Sequence, residues 1–188
     1  HMKFLGNSLR EIAAQKAGII KEGCEVVSMA QTAEAMEVVE RAAKDKHCTL
    51  YIADASLAKN IRYGVEKQRF NYENFKKLEI GLAGKFQIAN AVLAVKTIEV
   101  LGQKGFPVSE KALRKGLKET VWQGRFSVIG KKPLFIVDGA HNEDAAKKLA
   151  DSIEFYFTNK RIIYIMGILR DKEYDKIIDL TSKYAEQI

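Results

Sequence analysis

The sequence predicts a mixed α/β protein built from two domains. Segments rich in β-forming residues alternate with helical ones over residues 25–54, two helical patterns follow over residues 86–116, and a second alternation comes after them. Alternating strands and helices are typical of parallel sheets covered by helices. Because the helical pair separates two such runs, we expect two sheets in two domains, residues 1–122 and 123–188.

The composition is that of an ordinary globular protein. Of 188 residues, 47% are hydrophobic and 29% are charged, and no run approaches the roughly 18 apolar residues that a membrane span requires. The formal charge of +7 comes from lysines spread among acids, unlike the basic, aromatic-rich patch of a nucleic-acid-binding protein. With no secretory signal, we expect a cytoplasmic protein that binds neither nucleic acid nor membranes.

The two cysteines, Cys24 and Cys48, stand in different predicted elements. Neither belongs to a Cys-x-x-Cys or Cys/His cluster. The pattern therefore indicates neither a zinc site nor a disulfide framework, and we expect two reduced core thiols.

The chain begins with a predicted helix and a βαβ unit. Apolar residues recur at helical spacing from Ser8 to Ile19, and Ser8 with Glu11 forms a capping-box pattern. The β-rich segments EVVSMA and TLYIAD flank the helical stretch QTAEAMEVVERAAKDK. Residues 25–54 therefore predict two parallel strands joined by a helix.

Weaker patterns fill the middle of the chain. Alternation over residues 60–80 indicates one or two antiparallel strands, with a turn at Asn71–Asn74. A long helix is predicted from Phe86 to Leu101, the Gly102–Pro107 segment ends it, and a second helix begins after Ser109.

The C-terminal segment combines short strands with helices. We predict a short strand within VWQGRFSVIGKKP, a buried FIVD strand, a helix over Glu143–Tyr156, an RIIYIMG strand and a helix from about Glu173. We expect an open α/β sheet, in which ligands bind at the carboxyl ends of the strands.

Polar residues follow the FIVD strand directly. In D-G-A-H-N, Asp138 could accept hydrogen bonds from ribose hydroxyls, and His141 with Asn142 could donate to a phosphate or stack beside a base. The alternative is structural: Asp138 caps the helix that starts near Asn142, and His141 is satisfied within the turn. This stretch alone leaves both possibilities open.

Two amides form a second candidate site. Gln87 and Asn90 lie three residues apart near the start of the long helix, after Gly81 and Gly84. An amide can pair with both a donor and an acceptor on a base edge, so Asn90 could contact adenine. Both amides could equally satisfy local backbone groups.

Four charged residues are further candidates, each with an ordinary alternative. Small neighbours of Lys16 could allow a buried lysine, although lysines on such helices are usually solvated. Arg125 could clamp a phosphate or pair with a surface acid. Asp171 and Lys172 could contact a substrate amino acid or belong to an exposed loop and helix start.

Five segments, in this order, resemble the folylpolyglutamate synthase / dihydrofolate synthase branch of the Mur ligase superfamily. They are LGNSLREIAAQKAGIIKEG, GLAGKFQIANA, WQGR, DGAHN and GILRDKEYD. The resemblance implies the end of a Mur-ligase-type central ATPase domain (1–122) followed by the start of a Rossmann-like C-terminal domain (123–188). It also implies that the family's glycine-rich phosphate loop lies before His1, so we expect this chain to be inactive alone.

The resemblance implies an ADP-forming ligase that uses ATP and Mg²⁺ to join the α-amino group of glutamate to a carboxylate of dihydropteroate or of a folate glutamate tail. ATP would phosphorylate the carboxylate, a poor electrophile by itself, and the amine would attack the acyl phosphate. The implied partners are these small molecules, and we expect a monomer. A Mur-type peptidoglycan-precursor ligase and a non-catalytic nucleotide-binding module are the alternatives.

The resemblance also assigns metal and substrate roles. Lys16 matches the family lysine that becomes carbamylated, which turns its cation into an anion able to help hold magnesium. His1 matches a histidine ligand of magnesium, although His-Met is also a common cloning remnant. Asp171 and Lys172 match a segment near the incoming substrate.

The remaining matches concern the nucleotide. Gln87 and Asn90 match the nucleotide-binding amides, and Arg125 matches the arginine that contacts phosphate. Asp138 and His141 match ATP-site positions that the C-terminal domain contributes. By this resemblance, the catalytic residues are Lys16 and Arg125.

Overall fold

The computed structural model describes residues 6, 8–170, 172 and 174–188, and its mixed α/β structure confirms the predicted fold class. The helices are α1 (Leu9–Ala17), α2 (Ala33–Asp45), α3 (Gln87–Gln103), α4 (Glu110–Glu119), α5 (Glu143–Phe157) and α6 (Tyr174–Thr181). The strands are β1 (Glu25–Met29), β2 (Thr49–Ala53), β3 (Lys59–Arg62), β4 (Gln68–Tyr72), β5 (Phe75–Ile80), β6 (Ser127–Lys131) and β7 (Leu134–Val137). Within these described ranges, no helix is long and apolar enough to cross a membrane.

The described residues form two compact units, each assembled from two stretches of the chain. The first unit contains the described residues up to Ala58 together with Ala89–Leu113. The second unit contains Lys59–Ile88 together with Arg114–Ile188. Each unit is therefore discontinuous in sequence, and no single position divides the chain into the two units.

The first unit contains the predicted βαβ arrangement. Strands β1 and β2 are parallel, with Cα register running from Glu25 opposite Thr49 to Met29 opposite Ala53, and α2 connects them. The predicted parallel pair is thus confirmed. Ala43 of α2 is 2% exposed, and its small side chain allows the helix to pack closely.

Helix α1 starts where the capping pattern predicts. The side chain of Ser8 accepts a hydrogen bond from the backbone N–H of Glu11 at 3.2 Å, which satisfies one of the unpaired donors at the helix start. Ala13 and Ala17 form the buried side of this helix.

The second unit contains the predicted antiparallel strands. Strands β3, β4 and β5 form one sheet in sequence order, and the turn between β4 and β5 lies at Glu73–Asn74, as predicted. Phe70, Tyr72 and Leu78 are at most 1% exposed, so this small sheet has a buried face. The two helices predicted over residues 86–116 also form, as α3 and α4, and most of α3 belongs to the first unit.

The FIVD strand forms, but its predicted burial and parallel pairing are wrong. Strand β7 pairs antiparallel with β6 as a hairpin, and Phe135 and Val137 are 43% and 37% exposed. The reason is that β6 precedes β7 by only two residues, and so short a connection permits only antiparallel pairing. An apolar run looks the same in a hairpin strand as in a buried parallel strand.

The RIIYIMG strand is not formed as a strand of the described structure. Residues 161–167 make one isolated parallel bridge, between Ile163 and Gln187. Ile163 and Ile165 are 59% and 85% exposed. A ladder needs a neighbouring strand along its length, and the described residues provide only this one point of pairing.

A hydrophobic cluster in the second unit joins Phe126, which directly precedes β6, to β7 and α5. Its buried members are Ala83, Phe126 and Ile153. The Phe126 ring lies 5.7 Å from the ring of Tyr156 and 6.2 Å from that of Phe157, centroid to centroid. Because Phe126 directly follows Arg125, this packing fixes the backbone on which Arg125 stands.

Candidate functional site

Two of the sequence motifs lie against each other in the second unit. The Oδ2 atom of Asp138 accepts a hydrogen bond from the backbone N–H of Phe126 at 2.8 Å. The backbone N–H of Gly139 donates to the carbonyl of Gly124 at 2.7 Å. We call these segments, 124–126 and 138–140, the motif clasp. The clasp holds the backbones that carry Arg125 and Asp138 side by side at the open end of the β6–β7 hairpin.

The structure explains why glycine occupies positions 124 and 139 of the motif clasp. Gly124 adopts a positive φ of 73°, a region that favours glycine. A Cβ atom on Gly139 would lie 3.2 Å from the carbonyl oxygen of Gly124, tighter than ordinary van der Waals contact. The close approach of the two backbones thus explains one glycine in each motif.

Asp138 uses both carboxylate oxygens to hold the backbone. In addition to the bond to Phe126, its Oδ1 atom accepts from the backbone N–H of Ala140 at 2.8 Å. Burial raises the pKa of Asp138 above its ordinary value, and the two N–H donors with the nearby charge of Arg125 partly oppose that rise. Asp138 is therefore a structural residue of the motif clasp, and its predicted contact with ribose stays a prediction.

The turn after Asp138 is closed by His141 and Asn142. His141 Nδ1 lies 2.8 Å from the carbonyl oxygen of Gly139, and a carbonyl only accepts, so Nδ1 carries the proton. Asn142, not Asp138, caps α5: its Oδ1 atom accepts from the backbone N–H of Ala145 at 2.9 Å. The imidazole of His141 is exposed on the surface of the second unit.

Arg125 borders a cleft in the second unit. The cleft has a volume of about 350 Å³, and it is lined in part by Trp122, Arg125, Lys131 and Glu66. Within the described part of the chain, the guanidinium of Arg125 has no hydrogen-bond or salt-bridge partner, whereas Lys131 pairs with Glu66 at 2.5 Å. The guanidinium donors of Arg125 are therefore unused within the described residues, and its contact with a phosphate stays a prediction.

Ser127 holds the backbone turn that presents Arg125. Its hydroxyl donates to the carbonyl of Trp122 at 2.9 Å and accepts from the backbone N–H of Arg125 at 3.3 Å. Ser127 was not among the residues predicted from the sequence. Its signal in the sequence is a hydroxyl residue two positions after a candidate arginine, a spacing that favours such turns.

Gln68 anchors the segment that precedes α3. This side chain is 0% exposed, and its Nε2 atom donates to the carbonyls of Leu82 at 2.7 Å and Gly84 at 3.0 Å. Its Oε1 atom accepts from the hydroxyl of Tyr156 at 3.2 Å. Burial raises the pKa of Tyr156 to about 12, so this hydroxyl keeps its proton and donates. Neither Gln68 nor Tyr156 was predicted from the sequence.

The two candidate amides occupy the first turn of α3. Gln87 is buried at 4% exposure, and its backbone N–H donates to the carbonyl of Gly84. Asn90 is exposed. Of the two side chains, Asn90 is therefore the one open to solvent, and nucleotide contact by either amide stays a prediction.

Lys16 is exposed, so of the two possibilities for this residue the structure shows the solvated lysine and not the buried one. Ala13 and Ala17 face the interior of the first unit. Lys16 directly precedes Ala17, and one helical residue turns the side chain by about 100° around the axis, away from the buried side. Its carbamylation stays a prediction.

Two predicted site residues, His1 and Asp171, lie outside the described residues. Lys172 is described: its backbone N–H donates to the carbonyl of Leu169 at 3.0 Å, and its own carbonyl accepts from Tyr174 at 2.8 Å. It therefore stands in a bend directly before α6. Where the structure describes the chain, no three His, Cys, Asp or Glu side chains are grouped as a metal site would require.

The chain is similar in sequence to known ligases. Residues 124–187 match the family model of the Mur ligase, glutamate ligase domain. The whole chain is 33% identical to the dihydrofolate synthase/folylpolyglutamate synthase of Bacillus subtilis, of which it covers 45%. Over 98% of its length it is 34% identical to the folylpolyglutamate synthase of Lacticaseibacillus casei, again covering 45% of that protein.

Solved structures show the same similarity. A folylpolyglutamate synthase in complex with AMPPCP and folate superposes on the entire chain with a TM-score of 0.89 at 29% identity, and the chain covers 47% of it. The chain thus spans about half the length of the relatives it matches. Residues 124–187 are thus similar to the glutamate ligase domain of the Mur ligases, and the chain as a whole is similar to the folylpolyglutamate and dihydrofolate synthases.

Proposed function

We propose that the complete protein containing this chain is an ATP-dependent, ADP-forming ligase of the cytoplasm. It joins the α-amino group of L-glutamate to a carboxylate of dihydropteroate, of a folate glutamate tail, or of both, through an acyl phosphate. The curated relatives in Bacillus subtilis and Lacticaseibacillus casei carry the names of folate ligases, which favours a folate acceptor over a peptidoglycan precursor.

The observation that carries this proposal is the position of Arg125. Its guanidinium has no hydrogen-bond or salt-bridge partner among the described residues, borders a cleft, and stands on a backbone fixed by the motif clasp and by Phe126. A fixed cation with unused donors suits the negative charge that moves between phosphates and the acyl group in this reaction. In our proposal, Arg125 binds a phosphate and stabilises that charge.

The other nucleotide contacts in this proposal are assigned to Asp138, His141, Asn90 and Gln87. Asp138 positions the clasp and lies near the ribose, while His141 offers its exposed ring to the nucleotide. Asn90 contacts the base, and Gln87 supports the start of the same helix from its buried position. Asp171 and Lys172 lie near the incoming glutamate.

Magnesium is the metal cofactor in this proposal. Of its two proposed ligands, Lys16 is exposed on α1 and His1 lies outside the described residues. In the described ranges, the acid and histidine side chains form no cluster that fits a metal. Carbamylated Lys16 and His1 would hold Mg²⁺, which would offset the negative charge of the ATP phosphates.

We also propose two domains, residues 1–122 and 123–188, so that the boundary falls between residues 122 and 123. The match to the glutamate ligase domain begins at residue 124, which supports this division. The protein is proposed to act as a monomer on small molecules.

Arg125→Ala in the complete protein tests the proposed function. We expect it to lower kcat/KM for ADP release, measured with ATP, glutamate and dihydropteroate or folate, by about 100-fold or more, as loss of a charge-stabilising donor does in other enzymes. Arg62→Ala, at an exposed arginine of β3, is the matched control and should keep wild-type kinetics. We expect the 188-residue chain alone to release no ADP.

Two results would count against the proposal. ADP release that does not depend on glutamate would show that the protein is an ATPase or a different ligase. Equal kcat/KM values for Arg125→Ala and Arg62→Ala would show that Arg125 has no role in the reaction.

A further inference from the structure

The two cysteines lie next to each other at the amino ends of two neighbouring strands. Cys24 directly precedes β1 and Cys48 directly precedes β2, and the next residues, Glu25 and Thr49, are register partners in the parallel pair. Neighbouring strands run about 4.8 Å apart. That spacing lies within the Cα separation of about 4.4–6.8 Å that a disulfide requires.

The side chains already point toward each other. The Sγ atoms of Cys24 and Cys48 are 3.7 Å apart, and both residues are partly exposed, so a small oxidant can reach them. A disulfide bond of about 2.05 Å requires the two sulfur atoms to approach further. Rotation of the two side chains can provide this movement.

The backbone around the pair is held by bonds that do not involve the sulfur atoms. The N–H of Gly23 donates to the carbonyl of Lys46 at 2.8 Å, and the N–H of Cys48 donates to the carbonyl of Ala43 at 2.8 Å. The first bond joins the two turns that carry the thiols, and the second holds the turn that leads into Cys48. The thiols therefore stay close together for as long as the first unit is folded.

We propose that Cys24 and Cys48 are a site of reversible oxidation and form an intramolecular disulfide. In the structure the two cysteines are not joined by a disulfide. The sequence pattern gave no sign of this pairing, because the two residues stand 24 positions apart and only the parallel register places them together.

The oxidant in this proposal is a small disulfide such as glutathione disulfide. One protein thiolate attacks a sulfur of the oxidant, forms a mixed disulfide and releases the first glutathione thiolate. The second protein thiolate attacks the protein sulfur of the mixed disulfide and expels the second glutathione. One S–S bond breaks and one forms, and the two protons lost by the protein end on the two released glutathione molecules.

The chemistry of Cys48 makes this oxidation slow near neutral pH. Its Sγ atom lies 3.0 Å from the carbonyl oxygen of Lys21 and 3.3 Å from that of Lys46, where it can donate but where an anion is unfavourable. Burial, with Cys24 beside it, raises the pKa of Cys48. Since the thiolate is the reacting species, we expect the rate to rise with pH.

The test is to equilibrate the 188-residue protein with mixtures of reduced and oxidised glutathione, quench with acid, and measure intact mass and free thiols. We expect both thiols to disappear with the loss of two hydrogen atoms, and the product to remain monomeric on a non-reducing gel. The equilibrium constant should be at least about tenfold larger for the folded protein than for the same chain in urea. The oxidised protein should also have a higher Tm, because the bond closes the chain between residues 24 and 48.

Cys24→Ser and Cys48→Ser are the controls. Each variant should form only a mixed disulfide with glutathione. A reductant should lower the Tm of the oxidised wild type but should not produce this change in either variant. Three results would overturn the proposal: glutathione adducts on both wild-type cysteines, disulfide-linked dimers, or an equilibrium constant no larger in the folded protein than in urea.

Discussion

Replacing Asp138 with alanine is expected to lower the free energy of unfolding by about 2–3 kcal/mol. The change leaves the backbone N–H groups of Phe126 and Ala140 without their acceptor, and an unpaired, partly buried donor costs about 1–3 kcal/mol. Urea denaturation measures the loss as a lower midpoint at an unchanged slope. Because the same carboxylate holds the motif clasp, the change also releases the backbone that presents Arg125.

Two further variants separate this role from a general effect of removing a carboxylate. Asp144→Ala removes an exposed acid of the first turn of α5 that pairs with Lys148, and it should change stability little. Asp138→Asn keeps one acceptor but directs an amide N–H₂ at a backbone donor, so its loss should lie between those of Asp144→Ala and Asp138→Ala. Equal midpoints for the two alanine variants would show that Asp138 does not hold the clasp.

Gln68→Leu is expected to cost about 2–4 kcal/mol. Leucine has a similar size, but it leaves the buried carbonyls of Leu82 and Gly84 and the hydroxyl of Tyr156 without their partner. Amide hydrogen exchange should then increase over residues 81–87, because this segment loses the side chain that anchors it. In the complete protein, we expect KM for ATP to rise, since α3 and its amides begin directly after this segment.

The matched control for this variant is Gln31→Leu, the same substitution at an exposed glutamine that donates to the carbonyl of Met29. It should change stability by no more than about 0.5 kcal/mol. Tyr156→Phe removes only the hydroxyl and should cost about 1 kcal/mol. If the effects of Gln68→Leu and Tyr156→Phe add fully in the double variant, the two side chains are not coupled, and the proposed anchoring network is wrong.

Local elements were the part of the fold that could be predicted from sequence. The cap at Ser8, the parallel pair over residues 25–54, the turn after Tyr72 and the helices α3 to α5 depend on residues close together in the chain. Their signals are contained in windows of a few residues, where spacing and capping chemistry act directly. Two predictions were wrong: the burial of the FIVD strand and the formation of a strand by RIIYIMG. Both outcomes depend on which other segments pair with these residues, and a local sequence pattern does not contain that information.

The candidate site was predicted as a set of motifs but not as an arrangement. Arg125 and Asp138 were identified separately, and the structure shows that their backbones are joined through Gly124, Phe126 and Gly139. Gln68 was missed because nothing local distinguishes a buried glutamine from an exposed one. Its partners stand 14, 16 and 88 residues further along the chain.

The sequence by itself determined the α/β class, the order of the helices, the family resemblance and the residue types available for chemistry. Only the tertiary structure decided which of these residues are fixed by hydrogen bonds, which are exposed to solvent and which contact residues that are distant in the sequence. Helix caps and strand periodicity are short-range interactions, whereas the motif clasp, the buried amide of Gln68 and the contact between Cys24 and Cys48 form only when distant segments pack. Burial and hydrogen bonding between such segments are properties of the folded chain, and no local pattern contains them.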